Sequence, residues 1–530
     1  MIILTGVKST SMRTRALLFI LVALPILTFG QKDVNKVDVT SGARFEERTT
    51  KKIWYVIGSN ELGVYSVFSD YEGPKGKTGL FISRTGNKLN KEVEVVYDNN
   101  LNGSNYYFAK AFMFNDRLLV LSFYRDTEAM ELKLYLREMD LISLDWIYDP
   151  VWIGTLDIKG LDDWFRPDFG IGVSSNDSML LVYYDISDEK GEPKRMGFHV
   201  VDQDLDLEWY RDVSLPYANE QVYVTDYLLS NDGEVFAMGK VYEDRQRNVK
   251  KGTGNFSFHV MSFNLKSSED QFFKISGKEH YLADMKFAIG QDNDLICAGY
   301  YSNKEMQFIE GVFYIVLEQN SGAIIDEHYN EYSSLDFNSQ PSLNNNVQEK
   351  QVSGKKPELE RFRLNTLLTQ ENGDVYLVGE QFDIKAGDPP VYHYNDIIIV
   401  KYDEDGVVKW AQKVQKKQQV YDDGNYFSSF TCRLHNDNLY LVFNDHSKNL
   451  HYKGEGRYWV YESDHHRMKE YLIVMVEIDT DGSQSKRRVF TAKEHEVVKW
   501  PRLNETTDSN EIVFYGKRLA VHRFGKITFK

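Results

Sequence analysis

A short motif recurs eight times along this chain of 530 residues and limits the possible folds more than any other feature. Each copy is a polar turn with Asn or Asp, followed by four to six mostly apolar residues, as in NDGEVFAMG and NGDVYLVG. The eight turns follow one another at intervals of 55 to 79 residues, and their Asn residues are Asn60, Asn115, Asn176, Asn231, Asn293, Asn372, Asn436 and Asn510. Such a period indicates an array of similar supersecondary units.

A second motif, two apolar segments joined by a tight turn, follows several of these copies. Examples are IIIVKYDEDGVVKWAQKV at 397–414 and YLIVMVEIDTDGSQSKRRVF at 471–490. Asp-Gly between apolar segments is typical of a β-hairpin, because glycine tolerates the positive φ that such turns need. Each unit is therefore predicted to be a four-stranded antiparallel meander.

The central strands of these units are apolar without alternation, as in VFAMG, LLVLSF and MLLVYY. Continuous apolar strands indicate a sheet that is covered on both faces, and small sheets stacked around an axis provide such cover. The sequence predicts an all-β fold, a β-propeller of four-stranded antiparallel blades, with eight blades as the main prediction and seven as the alternative. Residues 31–530 are expected to form this single domain, with residues 34–50 completing the last blade.

The strings IIIVKYDEDGVVKW and VMVEIDTDGS resemble the repeat of bacterial secreted β-propeller proteins, in which a line "v-K-D-x-dG-x-x-x-W" joins the outer strands. Only the copy at 397–414 carries the line nearly complete, while Trp146, Trp209 and Trp410 fall at comparable places. The resemblance implies a propeller fold and export, and it implies no substrate.

The N-terminus has the pattern of a secretory signal peptide. Arg13 and Arg15 precede the apolar segment 16–29, which ends at Gly30. This segment is shorter than the roughly 20 residues that span a bilayer, so we expect cleavage and no membrane span in the mature chain, with an uncleaved anchor as the alternative. The signal would occupy about residues 12–30, since Met12 is the more natural start than residue 1. The expected location is periplasmic or extracellular.

The two cysteines, Cys297 and Cys432, lie in apolar, strand-like strings. We expect two buried thiols, with one long-range disulfide as the alternative.

The charge of the chain excludes two classes of binding partner. The sequence has 63 Lys and Arg against 79 Asp and Glu, which gives a net charge of −16. Nucleic acid and anionic membranes are therefore poor partners.

Long, variable connections are expected on one face of the ring, after the second and fourth strands of the blades. They are 241–256, 331–360, 382–396 and 444–469. Loops on a rigid scaffold often carry binding sites, although long loops are also tolerated as plain insertions. Flat aromatic rings in two of these loops are the candidate ligand-binding residues: Tyr392, Tyr394, Tyr458, Trp459 and Tyr461. The alternative is that these rings pack the loops against the ring of blades.

Two patterns invite a metal site, and neither meets a standard ligand spacing. One is a histidine cluster with neighbouring acids, for which a polar surface loop is favoured; its members are His435, Asp445, His446, His451, Asp464, His465 and His466. The other is the pair of turns 403–406 and 479–482, where the twelfth position of a calcium loop would be Gln412 or Arg488. Hairpin turns are favoured there, with weak Ca²⁺ binding as the alternative, and no cofactor is predicted.

Three functional classes remain. The chain contains no GxSxG, HExxH or P-loop motif, and no catalytic residue can be assigned. The main hypothesis is an exported, non-catalytic binding module that recognises a protein or polysaccharide through its long-loop face. The first alternative is a secreted hydrolase or lyase acting on glycans or peptides near the central channel. The second is a structural component of a cell-envelope assembly.

Overall fold

Eight antiparallel sheets of four strands surround a central axis, which confirms the predicted β-propeller and decides between eight blades and seven. The first strand of each blade is innermost, because the first strands of successive blades contact one another. The structure, a computed structural model, describes residues 37–46, 50–71, 78–101, 103–162, 165–186, 190–243, 255–264, 270–302, 308–335, 359–421, 427–453, 456–462, 470–489, 498–499, 510–518 and 521–530. The predicted signal peptide lies outside these residues.

Blades 1 to 4 follow the chain in order, each with its strands running from the axis outward. Blade 1 consists of Lys51–Asn60, Gly63–Tyr71, Thr78–Gly86 and Lys91–Val96. Blade 2 consists of Ser104–Phe114, Arg117–Asp126, Glu131–Met139 and Val151–Asp157. Blade 3 consists of Phe169–Val173, Met179–Ile186, Pro193–Asp202 and Leu207–Ala218. Blade 4 consists of Val222–Leu229, Val235–Tyr242, Phe256–Phe263 and Gln271–Ile275.

Blades 5 to 8 complete the ring. Blade 5 consists of Tyr281–Ile289, Leu295–Ser302, Gly311–Leu317 and Ile324–Glu331. Blade 6 consists of Phe362–Thr369, Val375–Lys385, Val391–Tyr402 and Val408–Val414. Blade 7 consists of Phe430–His435, Asn438–His446, Tyr471–Ile478 and Gln484–Arg488. Blade 8 consists of Val498–Lys499, Glu511–Arg518, Val521–Phe529 and the N-terminal Val37–Ser41, which pairs with Val521–Phe529.

Short additional elements decorate the connections. Among the described residues, six short strands lie outside the four-stranded pattern: Phe45–Glu46, Asn100–Leu101, Phe308–Ile309, Leu359–Glu360, Gln418–Tyr421 and Tyr461–Glu462. The same residues include three single-turn 3-10 helices, Asn219–Gln221, Tyr332–Ser334 and Ser447–Asn449. In the part of the chain that the structure describes, no helix is long and apolar enough to cross a membrane.

The recurring Asn turns join the first and second strands of the blades. In blade 2 the turn is Asn115-Asp116, with φ of 48° and 56°, and in blade 7 it is Asn436-Asp437, with φ of 45° and 62°. Two consecutive residues with positive φ form the tight turn that matches the twist of a β-hairpin, and Asn and Asp tolerate that conformation. The turn motif is therefore a backbone requirement of each blade.

The second strand of each blade is buried on both faces, as the unbroken apolar segments predict. All eight residues of Leu295–Ser302 are buried. Each of the eight interfaces between neighbouring blades has its own cluster of buried apolar side chains, including those that blade 8 forms with blades 7 and 1. The core is thus a set of eight layers between sheets.

A glycine ends the apolar segment in several copies because the first strand bulges against it. The ladder between first and second strands shifts register at Gly239 and Gly379, and in blade 5 at Tyr300, the neighbour of Gly299. A side chain at Gly299 would overlap the carbonyl oxygen of Asp284, and one at Gly239 would lie 3.1 Å from the carbonyl oxygen of Tyr223. Close approach of two backbones therefore requires glycine at these positions.

The two faces of the ring differ in the length of their connections, as expected, but two connections differ from the prediction. The connection between the third and fourth strands is short in most blades, but in blade 2 it spans 140–150. The segment 382–396 is mostly strand, since only residues 386–390 separate two strands that extend beyond the sheet. Most of the expected loops 241–256 and 331–360 lies outside the described residues.

Candidate functional site

The long-loop face carries an extra layer of structure where blades 6 and 7 meet. The second and third strands of blade 6 remain paired as far as Lys385 and Val391. Gln418–Tyr421 adds to this hairpin in antiparallel fashion, and Tyr461–Glu462 pairs in parallel with Gln418 and Gln419. We call residues 382–394, 415–421, 447–453 and 456–462 the blade 6–7 extension.

The blade 6–7 extension has its own aromatic core. Phe382 and Tyr394 have ring centroids 4.9 Å apart, and Tyr461 and Tyr471 have ring centroids 4.7 Å apart. Tyr394 and Tyr461 are each 1% exposed, while Tyr392 is half-buried beside them. Tyr392, Tyr394 and Tyr461 thus pack within the extension. This resembles the alternative from the sequence, in which the aromatic rings pack the loops and do not bind a ligand.

A buried polar network joins this extension to the ring. Lys416 lies 2.6 Å from the carboxylate of Glu380, which also accepts a hydrogen bond of 2.7 Å from the Ser429 hydroxyl. Gln418 accepts from the backbone N–H of Ser429 and donates to the carbonyl of Asn444. Burial lowers the pKa of Lys416, and the Glu380 carboxylate opposes that shift. Since buried charges are costly unless paired, this network holds the connecting segment in one position.

A second network centres on the Asp445 carboxylate, which is fully buried. One of its oxygens lies 2.5 Å from the Lys486 ammonium and accepts from the Tyr458 hydroxyl at 3.0 Å. The other accepts from the Asn449 side chain at 2.7 Å and the backbone N–H of His446 at 2.8 Å. Burial raises the pKa of Tyr458 well above its ordinary value, so this phenol stays neutral. Asp445 therefore fixes the loop that follows the second strand of blade 7.

A cleft of about 290 Å³ opens above this second network, at the rim of the long-loop face. Its walls are the outer strand of blade 6, the two outer strands of blade 7 and the loop after His446. The lining residues are Lys413, Val414, Gln415, Asn449, Leu450, His451, Tyr452, Lys453, Tyr458, Val476, Gln484, Ser485 and Lys486. The lining combines apolar, amide, aromatic and cationic groups, and no carboxylate is found among the lining residues that the structure describes.

Of the five candidate aromatic residues, only Tyr458 lines the cleft. Its ring meets that of Tyr452 edge-on, at a centroid distance of 5.1 Å. Trp459, next in the chain, is partly buried and stacks on His446 at 5.3 Å. Lys448 and Arg457 lie over the Trp459 ring, at 3.8 and 4.5 Å from its centroid. The five rings thus fall into separate environments.

The cationic side chains of the cleft and Tyr452 were not among the ligand-binding residues predicted from the sequence. Lys413 and Lys486 lie on the outermost strands of neighbouring blades, and no local pattern distinguishes them from other strand lysines. Lys453 and Tyr452 stand close to the selected Tyr458, so a search for mixed aromatic and basic loop segments could have found them. The ring geometry brings these groups to one place.

The residues considered as metal ligands also separate. His446 is buried against Trp459, His451 lines the cleft, and His435 stacks on Phe529. Asp464, His465 and His466 lie outside the described residues, and among those described no group of three or more His, Cys, Asp or Glu residues could hold a metal ion. The two Asp-Gly segments form the turns between third and fourth strands, with Gly406 and Gly482 at φ of 73° and 85°.

Carboxylates on the innermost strands are paired with neighbouring blades. Asp226 lies 2.5 Å from the Lys286 ammonium. Asp284 accepts the backbone N–H of Leu364 at 3.0 Å and lies 3.7 Å from the Lys240 ammonium. The ion pairs join blades 4 and 5 near the axis, and the hydrogen bond from Leu364 joins blade 6 to blade 5.

No protein-family model matches the chain, and no curated protein has a significantly similar sequence. Solved structures with a similar fold include the WD40 domain of SCAP from fission yeast, at 7% identity, covering 93% of this chain and 98% of that one, with a TM-score of 0.41. They also include the β-propeller domain of the Trilobed protease from Pyrococcus furiosus, at 10% identity, 85% and 98% coverage, and a TM-score of 0.32. An alpha-L-arabinanase from Penicillium chrysogenum has 12% identity, 71% and 98% coverage, and a TM-score of 0.30.

Proposed function

We propose that this protein is an exported, non-catalytic binding module that recognises a polysaccharide or a protein through its long-loop face. The observation that carries the proposal is the cleft beside the blade 6–7 extension, because buried ion pairs hold its walls in place. A preformed site loses little conformational entropy on binding. At about 290 Å³ the cleft stands at the small end of the range for ligand sites, about 300–1,000 Å³.

The composition of the cleft also supports recognition. Val414, Leu450 and Val476 provide an apolar surface, and Gln415 and Gln484 provide amides that can donate and accept hydrogen bonds. Ligand sites in proteins combine apolar lining with a few well-placed polar groups in this way. The candidate aromatic residues Tyr392, Tyr394 and Tyr461 would act here by shaping the extension, while Tyr458 and Tyr452 would meet the ligand.

An array of glycans and peptides probed with residues 31–530, with and without Ca²⁺, tests the proposal. We expect saturable binding that Tyr452→Ala weakens about tenfold, the size typical of an aromatic contact residue. The matched control is Tyr148→Ala, since Tyr148 is 67% exposed on the connection between the outer strands of blade 2. Ligand turnover, measured as released reducing ends or peptides, would contradict the non-catalytic assignment.

One observation favours the second candidate, a structural component of an envelope assembly. Exposed apolar side chains gather on the outer wall near blades 2 and 3, where Trp152 is 43% exposed and packs edge-on against Tyr210 at 5.7 Å. The others on this wall are Ile142, Ile147, Tyr148 and Val151. If Tyr148→Ala abolishes binding and Tyr452→Ala does not, this wall and not the cleft is the binding surface.

A further inference from the structure

We infer that the cleft between blades 6 and 7 binds an anionic polysaccharide, one whose sugar rings carry carboxylate or sulfate groups. This inference rests on the proposed function and specifies its ligand. Among the described residues, the cleft lining includes three lysines, Lys413, Lys453 and Lys486, and no Asp or Glu. In a chain with 16 more acidic than basic residues, a cleft with only cationic charges is a local exception.

Carboxylates that do not line the cleft hold two of these lysines. Lys413 lies 2.6 Å from Asp396, and Lys486 lies 2.5 Å from Asp445. The side chains of Lys413 and Lys486 are 19% and 20% exposed, so each lysine is held by a carboxylate and still partly accessible. A cation positioned before its ligand arrives loses less side-chain entropy on binding. Lys453 is exposed and has no ion pair among the described residues, so it adds a positive charge that no described carboxylate offsets.

The other lining groups favour a sugar chain over an acidic peptide. Asn449, Gln484 and Ser485 offer amides and a hydroxyl, which suit the many hydroxyl groups of a sugar. The rings of Tyr452 and Tyr458 add apolar edges against which a sugar ring can pack.

The net negative charge of the chain does not prevent this binding. At physiological ionic strength the Debye length is about 8 Å, so acidic side chains on the far side of the ring are screened. The local interaction then depends on the three lysines and on Asp396 and Asp445, which pair with Lys413 and Lys486, so Lys453 contributes the charge that no described carboxylate offsets. The same screening predicts that affinity falls as salt concentration rises.

Isothermal titration of residues 31–530 with four probes tests the inference: oligomers of polygalacturonate, the same oligomers methyl-esterified, dextran sulfate and neutral dextran. We expect saturable binding to an acidic probe, at least about tenfold weaker binding to the uncharged ones, and weakening between 0.05 and 0.5 M NaCl. Polygalacturonate and dextran sulfate separate carboxylate from sulfate recognition. Equal affinity for the esterified and acidic oligomers would overturn the inference while leaving the proposed function intact.

Charge-reversal variants locate the site. Lys453→Glu should weaken binding of the acidic probe about tenfold, because it replaces an attraction with a repulsion. Lys88→Glu is the matched control, since Lys88 is exposed on a turn between the outer strands of blade 1 and carries the same change in net charge. Equal effects of the two variants would overturn the inference, and so would tighter binding to poly-glutamate than to either acidic polysaccharide. If none of the four probes and no ligand on the array binds, the proposed function is rejected as well.

Discussion

The indole nitrogen of Trp410, on the outer strand of blade 6, donates a hydrogen bond of 2.9 Å to the carbonyl oxygen of Thr480 in blade 7. Trp209, on the outer strand of blade 3, makes the equivalent bond of 3.0 Å to the carbonyl oxygen of Gly233 in blade 4. Each bond links a blade to a turn of the next blade. The tryptophan in the repeat line thus joins neighbouring blades, whereas Trp146 packs instead against Tyr97 and Arg137.

We expect Trp410→Phe to lower the free energy of unfolding by about 1 kcal/mol, the net contribution of one intramolecular hydrogen bond. Urea titration followed by circular dichroism measures the change. The control is Trp54→Phe, because Trp54 is 53% exposed and should tolerate the change within about 0.5 kcal/mol. Equal stability of the two variants would show that the bond between blades contributes nothing.

Gly299→Ala should destabilise the protein by more than about 3 kcal/mol, since the added methyl would overlap the backbone of the bulged first strand. Gly172→Ala is the matched control. A methyl there would lie 3.6 Å from the Leu181 side chain, an ordinary contact, and φ needs no glycine. Thermal unfolding of both variants compares them, and a Gly299→Ala protein as stable as the control would contradict the role of the bulge.

Stability should fall as the pH drops from 6.5 towards 4. Burial lowers the pKa of His199 from 6.5 to about 4, so between these values the unfolded chain binds more protons than the folded one. The loss from this group is about 2 kcal/mol at pH 5 relative to pH 7.5. His259, whose pKa burial also lowers to about 4, acts in the same direction.

Urea titrations at pH 7.5 and 5 measure this dependence. His199→Phe should be less stable overall, because it removes the bond to the Ile153 carbonyl, but it should lose less stability on acidification. His451→Gln, at an exposed ring, is the control and should keep the parental dependence. If His199→Phe loses as much stability between pH 7.5 and pH 5 as the parent protein does, the pH dependence does not come from His199.

Both cysteines should be unreactive in the folded protein. Both are free; Cys297 in blade 5 is buried, as predicted from the sequence, whereas Cys432 in blade 7 is only partly buried. Burial raises the pKa of each thiol to about 12, and thiolate is the reactive form. We expect slow labelling by a thiol reagent at pH 8 and labelling of both thiols in denaturant. Fast native labelling, or one disulfide detected by mass spectrometry, would disprove this.

A group of buried ion pairs within blade 6 offers a test of buried charge. Asp374 is 4% exposed and pairs with Lys401, itself 3% exposed, at 2.7 Å and with Lys409 at 2.8 Å. Despite burial, these two lysines lower the pKa of Asp374. Asp374→Asn should cost about 3 kcal/mol because it leaves the Lys401 charge buried without its carboxylate. Asp157→Asn, at an exposed pair, is the control for chemical denaturation, and equal losses would refute the argument.

Local sequence patterns were sufficient to predict most of the fold. The turn Asn residues, the Asp-Gly hairpins and the continuous apolar second strands are short-range features, and each blade repeats them with the same backbone requirements. Their count therefore predicted eight blades, and their order predicted which connections share a face. The glycine that ends several copies is also visible in sequence, although its cause, the bulge of the first strand, is not.

The site was predicted less well, because its parts are distant in sequence. The connections around 382–396 and 444–469 were expected on the same face of the ring, without any prediction that they contact one another, and Tyr394 and Tyr461 within them are buried. Pairing of Gln418–Tyr421 with both segments decides that burial. No periodicity within either segment encodes a pairing between them.

The sequence by itself determined the type of fold and the sequence positions of the turns, since these follow from local backbone preference and from burial of each strand, and the tertiary structure decided between eight blades and seven. Only the tertiary structure decided where Lys413, Lys453 and Lys486 meet. The sheets radiate from the axis, so their outer strands diverge and leave space at the rim. The loop after His446 encloses that space, and ring geometry, not local sequence, places the three charges around it.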